Sequence, residues 1–104
     1  MSDLTPTEGA RFLLERASEA ADRAEYRATI YTPTETFAGT ATLVDDGSVV
    51  VAIAAAPADL VEMVTMLAKL TARAAAKKRA DGMPPWPARV LRWRGPGRQS
   101  SSSS

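Results

Sequence analysis

The side chains that could do chemistry in this sequence are carboxylates, because its 104 residues include no histidine and no cysteine. Histidine is the commonest general base and metal ligand, and cysteine is the strongest common nucleophile, so most of the usual catalytic arrangements are excluded. The lack of cysteine also excludes disulfide bonds. We therefore expect a protein that is not an enzyme and that uses no cofactor and no metal.

Two groups of acidic residues are spaced closely enough to share a ligand. The first is the DDG run at 45–47, but Asp followed by Gly is typical of a hairpin turn. The second is Glu15, Glu19 and Asp22, which recur at the spacing of one helix face among arginines. Such spacing is typical of a solvated helix surface with ion pairs between neighbouring turns. Neither group predicts a catalytic or metal site.

The most unusual stretch is GMPPWPARVLRWRGPGR at 82–98, which holds both tryptophans, four prolines and four arginines but no acid. Arginines neutralise phosphates, and aromatic rings between them stack on bases with about 1–3 kcal/mol per base. Trp93 alternates with Arg92 and Arg94, which predicts that its ring points into the core. Trp86, among prolines, is predicted to close the open end of the core. We interpret the stretch first as a linker and last strand, and second as a nucleic-acid-binding surface.

The charge is divided between the two parts of the chain. Residues 1–62 hold four arginines and eleven acids, a net charge of −7, whereas residues 63–104 hold nine basic residues and one acid, a net charge of +8. This division predicts either an acidic partner for the basic part or an association of one part with the other. The candidate residues for binding an acidic partner or nucleic acid are Arg73, Lys77, Lys78, Arg79, Arg89, Arg92, Arg94 and Arg98.

The elements that must position these residues begin with a predicted helix over about 6–23. The TPTE run at 5–8 has the pattern of a helix start, with a capping residue, a proline at the first helical position and an acid three residues after the cap. Alanines and leucines between residues 10 and 24 recur at helical spacing. The pattern therefore predicts one helix with a single apolar stripe, made mainly of alanine.

Three segments of alternating pattern predict an antiparallel meander over 26–31, 36–44 and 48–55. A turn around Pro33 joins the first two segments, and the DDG turn joins the second to the third. The face turned away from the helices carries mostly small side chains bordered by arginines. Such a face is typical either of an ordinary solvated sheet or of a surface that a partner protein approaches closely.

Pro57 and Asp59 predict the start of a second helix over 58–80, which Gly82 ends. The run ARVLRWR at 88–94 predicts a fourth strand, with Leu91 and Trp93 facing the helices. The predicted fold class is α+β: a single small domain over 1–95 in the order αβββαβ, with two helices on one face of a mostly antiparallel four-stranded sheet. The Gly/Pro/Ser-rich residues 96–104 are predicted to be a disordered tail.

The αβββα part of this order resembles the double-stranded-RNA-binding domain and the small dimeric chaperones of type III secretion. The RNA-binding family has a lysine cluster at the start of its second helix for contacting phosphates, whereas this chain has PADL at 57–60. The resemblance to the chaperones lies in topology and in their preference for dimers. Such likeness of topology does not assign a function.

Apolar residues cover more than half the circumference of the helix predicted over 58–80, which is wider than one sheet face can cover. Either the first helix covers the remainder, or the same helix of a second subunit does. The alanine-rich stripe of the first helix favours the second subunit, and hence a homodimer. The candidate residues for self-association are Met63, Met66, Leu67, Leu70 and Ala74.

These observations lead to an expected function. The chain is expected to be a non-enzymatic protein-interaction module, a small adaptor or chaperone-like protein that self-associates through helix 58–80 and presents its basic C-terminal side to an acidic partner. The alternative is a nucleic-acid-binding protein that uses the basic helix end and the last strand. The N-terminus lacks the pattern of a signal peptide, and the longest apolar run, Val49–Pro57, is too short to span a bilayer. A cytoplasmic location without membrane contact is therefore expected.

Overall fold

A computed structural model describes residues 9–94 of the chain. Over this range the chain forms five strands and one helix. Their bounds are β1 (Ala10–Glu19), β2 (Arg23–Tyr31), β3 (Thr36–Val44), β4 (Val49–Ile53), α1 (Ala58–Ala80) and β5 (Arg89–Arg94). All strand pairs are antiparallel, and the strands lie side by side in the order β4-β3-β2-β1-β5.

The α+β class, the antiparallel meander and the long helix are confirmed. Strands β2, β3 and β4 form the predicted meander, and α1 has the predicted bounds. At the DDG turn, Gly47 adopts a φ of 97°, and its backbone N–H donates to the carbonyl of Val44. Glycine takes such a positive φ without a steric penalty, so the turn forms where the sequence placed it. The predicted tail over 96–104 lies outside the described residues.

The prediction of a helix over 6–23 is wrong, because residues 10–19 form strand β1 and the chain then turns into β2. The correct count over residues 9–94 is therefore five strands and one helix, rather than four strands and two helices. Strand β1 lies between β2 and β5, and Leu13 and Leu14 are both buried although they point to opposite faces. Burial on both faces removes the alternation that marks a strand. The likeness to the RNA-binding domain and the secretion chaperones depended on that helix and does not hold.

Helix α1 packs on one face of the sheet, across β4, β3 and β2. Close packing is possible because many of the buried residues are alanines, including Ala28, Ala41, Ala68 and Ala72, which have no exposed surface. Gly39 allows a close approach of β3 to β4, since a Cβ atom there would collide with the backbone carbonyl of Ala52 and lie 2.8 Å from Cγ1 of Ile53. The larger buried side chains are Phe12, Leu14, Tyr26, Ile30, Leu43, Val64 and Trp86.

The basic end of α1 lies over two acidic turns of the sheet. The Arg79 guanidinium contacts the Asp45 carboxylate and the Ala21 carbonyl, so it joins the β3–β4 turn to the β1–β2 turn. In the second turn, the hydrogen bond from Arg23 and, to a lesser degree, the charge of Arg79 lower the pKa of Asp22. Some basic residues of the C-terminal part are therefore neutralised by acidic residues of the N-terminal part within the same molecule.

Candidate binding surface

The sheet face opposite α1, called here the open face, carries an arginine between two aromatic residues. Arg11 in β1 is the cross-strand partner of Trp93 in β5 and of Tyr31 in β2. Partners in neighbouring strands point their side chains to the same face. Since Phe12 belongs to the core beneath α1, Arg11 and its two partners point to the open face.

The prediction that Trp93 is a core residue is wrong. Its side chain is 56 % exposed on the open face, and Leu91, which was predicted to face the helices, is 37 % exposed beside it. Val90 is the residue of β5 that packs against the core. The alternation within the strand was predicted correctly, but its phase is shifted by one residue, which moves every side chain to the other face.

The phase of β5 is set by three successive backbone carbonyls just before the strand. The Arg16 guanidinium donates to the Trp86 carbonyl at 2.6 Å, and the Tyr26 hydroxyl donates to the Pro87 carbonyl at 2.7 Å. The backbone N–H of Arg16 donates to the Ala88 carbonyl at 2.9 Å. We call this arrangement the carbonyl clamp. It holds residues 86–88 against β1 and β2, so β5 enters the sheet in one register only.

Two residues of the carbonyl clamp, Trp86 and Tyr26, have buried side chains. Trp86 is 1 % exposed, which confirms the prediction that it closes the end of the core, and Tyr26 is equally buried. Burial raises the pKa of the Tyr26 phenol to about 12. The phenol therefore stays protonated at neutral pH and keeps the hydrogen atom that it donates.

The open face is organised in rows across the strands. The row next to Trp93, Arg11 and Tyr31 is formed by Leu91, Leu13, Thr29 and Ala38. The row beyond it is formed by Arg89, Glu15, Arg27 and Thr40. Leu13 and Thr29 are only 3 % and 6 % exposed although α1 lies on the other side of the sheet. The surface is therefore an apolar strip with arginines on both sides, and Trp93 is its most prominent apolar side chain.

The charge of this surface is not balanced by nearby ion pairs. Strand β5 contains three arginines and no acid. Within residues 9–94, Arg11, Arg27, Arg89 and Arg92 make no ion pair with a carboxylate, in contrast to Arg79 at the end of α1. Glu15 is the cross-strand partner of both Arg89 and Arg27, and the Arg92 guanidinium donates to the Leu91 carbonyl at 3.0 Å. An anionic ligand would therefore compete with these neighbours for the guanidinium groups around β5.

The structure divides the predicted basic residues between two ends of the molecule. Arg73, Lys77, Lys78 and Arg79 lie near the turns at 20–22 and 45–47, where α1 ends, whereas Arg92 and Arg94 lie at the other end of β1, opposite Phe12 and Ala10. Lys77 is paired with Asp81 at 3.5 Å. Arg89 lies between the two groups, and Arg98 lies outside the described residues.

The predicted self-association residues are also divided. Leu67 belongs to the core and Met63 is half-buried against it, whereas Met66 and Leu70 are 58 % and 61 % exposed and Ala74 is exposed. Arg11 and Leu13 were predicted in a helix and so belonged to no predicted site, whereas Tyr31 was predicted on the sheet face turned away from the helices. No alternation could have placed Arg11 and Leu13 on a strand, because Leu13 and Leu14 are buried on opposite faces.

Comparisons with protein-family models, with curated proteins and with solved structures find no match for this chain. Among the described residues, no three acidic side chains are placed to hold a metal ion. Nor is any helix between residues 9 and 94 long and apolar enough to cross a membrane. The function is therefore argued from the surface around β5.

Proposed function

We propose that this protein is a non-enzymatic interaction module that binds an acidic, extended segment of a partner protein along β5. The observation that carries the proposal is the exposure of Trp93 beside Arg11, on an edge strand with three arginines and no acid. We call this site the β5 surface and define it by Arg11, Arg89, Leu91, Arg92 and Trp93.

The backbone of β5 supports binding of an extended segment. The hydrogen bond from the Arg16 N–H to the Ala88 carbonyl makes these two residues a bonded pair, and bonded pairs alternate along an antiparallel ladder. The N–H and C=O groups of Arg89, Leu91 and Trp93 therefore point away from β1, along an edge that no strand within residues 9–94 covers. The Leu91 carbonyl accepts from the Arg92 guanidinium at 3.0 Å, and an added strand would replace this contact. A segment in β conformation can add to such an edge as a sixth strand.

The side chains of β5 support an acidic ligand. Arg89 and Arg92 point to opposite faces of the sheet, so a glutamate on either face of an added strand meets a guanidinium. Trp93 and Leu91 supply apolar contact area, and tryptophan and arginine are the residue types that dominate binding energy at interfaces. The same arginines oppose pairing of β5 with another β5, because like charges would face each other.

The proposal is tested by titrating the protein with a peptide of about ten residues in which glutamate and valine alternate. Trp93 is the exposed tryptophan and Trp86 is buried, so tryptophan fluorescence reports on the β5 surface. The fluorescence of wild type is expected to change on binding, and the double variant Arg89→Glu/Arg92→Glu should bind at least about tenfold more weakly, about 1.4 kcal/mol. The control is a peptide with lysine in place of each glutamate. Failure of the glutamate peptide to bind, or equal binding of both peptides, overturns the proposal.

A second candidate function is binding of single-stranded nucleic acid. It is favoured by the outward orientation of Trp93, because Arg11 then lies between two exposed or half-exposed rings, an arrangement suited to stacking on bases. The same titration with an oligothymidylate of about ten nucleotides tests it. Binding should fall with salt by a slope of about −0.7 per phosphate neutralised and be lost in Trp93→Ala. Absence of binding at low salt excludes this function.

A further inference from the structure

The side chains of β5 are divided between the two faces of the sheet in a fixed order. Arg89, Leu91 and Trp93 lie on the open face, whereas Val90 and Arg92 lie on the face that carries α1. Arg89 and Arg92 are therefore three residues apart and on opposite faces. Because the carbonyl clamp holds β5 in one register, any strand that adds to this edge meets the same side chains in the same order.

The two arginines define two positions for acidic residues in an added strand. Residues directly opposite each other in neighbouring strands point their side chains to the same face, with Cβ atoms about 4.5–5.5 Å apart. A residue opposite Arg89 thus lies beside one guanidinium on the open face, and a residue opposite Arg92 lies beside the other guanidinium on the other face. Both arginines are exposed, and neither makes an ion pair with a carboxylate within residues 9–94. Two acidic residues three positions apart therefore pair with both arginines, whether the strand is parallel or antiparallel.

The two positions between these arginines are apolar. Val90 is half-buried and packs against the core, and Leu91 is 37 % exposed beside the buried Leu13. Apolar residues opposite Val90 and Leu91 would remove apolar surface from water on both faces of the sheet. Valine and isoleucine suit both positions, because β-branched side chains are enriched in strands.

The surroundings of Arg92 make the residue opposite it important for specificity. The Arg92 guanidinium donates to the Leu91 carbonyl at 3.0 Å, and this carbonyl points along the edge. An added strand would donate its own N–H to the carbonyl and displace the guanidinium. An acidic residue opposite Arg92 then accepts from the displaced guanidinium, whereas an apolar residue there leaves the guanidinium with water alone.

We propose that the preferred ligand of the β5 surface is a strand with two acidic residues three positions apart and two apolar residues between them. The acidic residues lie opposite Arg89 and Arg92, and the apolar residues lie opposite Val90 and Leu91. This inference rests on the proposed function, because it specifies the sequence of the acidic segment that adds to β5. Attraction by net charge alone would accept the same residues in any order.

The test compares two dye-labelled peptides of identical composition by fluorescence anisotropy. The matched peptide is Thr-Val-Glu-Val-Val-Glu-Val-Thr, in which the glutamates are three positions apart. The mismatched peptide is Thr-Glu-Val-Val-Val-Glu-Val-Thr, in which they are four positions apart, a spacing that separates no two arginines of β5. Wild type is expected to bind the matched peptide at least about threefold more tightly, as one further exposed ion pair would give.

Variants of the protein test the assignment to Arg92. Arg92→Gln should bind the two peptides with equal affinity, because the pair of arginines three residues apart is then lost. The matched control is Arg73→Gln, which changes an exposed arginine of α1 and should keep the preference. Serine in place of the two central valines of the matched peptide should weaken its binding, because Val90 and Leu91 then lose their apolar neighbours.

The outcomes separate this inference from the proposed function. Equal affinity of wild type for the matched and mismatched peptides overturns the inference, and the proposed function stands because both acidic peptides still bind. A preference that persists in Arg92→Gln, or a serine peptide that binds as tightly as the matched peptide, also overturns the inference alone. Binding of neither peptide to wild type overturns both.

Discussion

Replacing Tyr26 by phenylalanine removes one hydroxyl from the carbonyl clamp and tests whether that clamp holds β5. The Tyr26 phenol is 1 % exposed and donates to the Pro87 carbonyl at 2.7 Å. Phenylalanine keeps the ring and its packing but leaves the carbonyl without this partner. Loss of a hydrogen bond with one buried partner left unpaired costs about 1–2 kcal/mol in the free energy of unfolding. We expect a destabilisation of that size at pH 7.

The pH dependence of this difference is a more specific test than its size. Burial raises the pKa of Tyr26 from 10.0 to about 12 in the folded protein. The folded state therefore holds this proton more tightly than the unfolded state, so the contribution is fully present below pH 10 and is lost as the pH rises towards 12. A difference of about two pKa units corresponds to at most about 2–3 kcal/mol. The advantage of wild type over Tyr26→Phe should therefore shrink above pH 10.

The assay is urea unfolding followed by circular dichroism at pH 7, 9 and 10.5, with wild type and Tyr26→Phe measured in parallel. Tyr31→Phe serves as the control, because it removes the other tyrosine hydroxyl, which lies half-exposed on the open face. That variant should show the same decline towards high pH as wild type. A difference between wild type and Tyr26→Phe that is near zero at pH 7, or that stays constant up to pH 10.5, would refute the reasoning that a buried phenol donates to Pro87.

Three further predictions concern packing and exposure. Gly39→Ala should lower the free energy of unfolding by at least about 1–3 kcal/mol, because the new Cβ would collide with the backbone carbonyl of Ala52 and lie 2.8 Å from Cα and Cγ1 of Ile53; an unchanged urea midpoint, as expected for the exposed control Ala38→Ser, would contradict the close approach of β3 and β4. Trp86→Ala should cost about 3–5 kcal/mol, whereas Trp86→Phe should cost clearly less, because the indole N–H has no hydrogen-bond partner; equal losses in thermal unfolding would contradict this. Iodide should quench tryptophan fluorescence more strongly than caesium, because arginines surround the exposed Trp93; the preference should disappear in Trp93→Phe.

The elements with local signals could be predicted from the sequence. The DDG turn contains its own positive-φ glycine, and Pro57 and Gly82 mark the two ends of α1. Strand β1 could not be recognised by periodicity, because Leu13 and Leu14 are buried on opposite faces and a register irregularity between Arg16 and Ser18 interrupts the pattern further. The alanines of this region fit helical spacing equally well, and strand pairing overrode that preference.

The candidate site could be predicted only in part. The sequence identified 82–98 as unusual and placed Arg89 and Arg92 in a binding surface. It could not decide which face Trp93 occupies, because alternation defines two faces without saying which one meets the core. That choice depends on Arg16 and Tyr26, which lie about sixty to seventy residues earlier in the chain and hold the three carbonyls before β5. Such long-range contacts leave no mark in the local pattern.

Because of the carbonyl clamp, the place of β5 in the sheet does not depend on the side chains that contact its ligand. The acceptors at 86–88 are backbone groups, which every residue type supplies, and the side chains at 89, 91 and 93 point to the open face rather than to the core. Natural divergence or laboratory selection can therefore alter these three positions while the strand keeps its place. A library randomised at 89, 91 and 93 should retain one fold and recover binders of different charge, which would make β5 an exchangeable recognition strand on a constant scaffold.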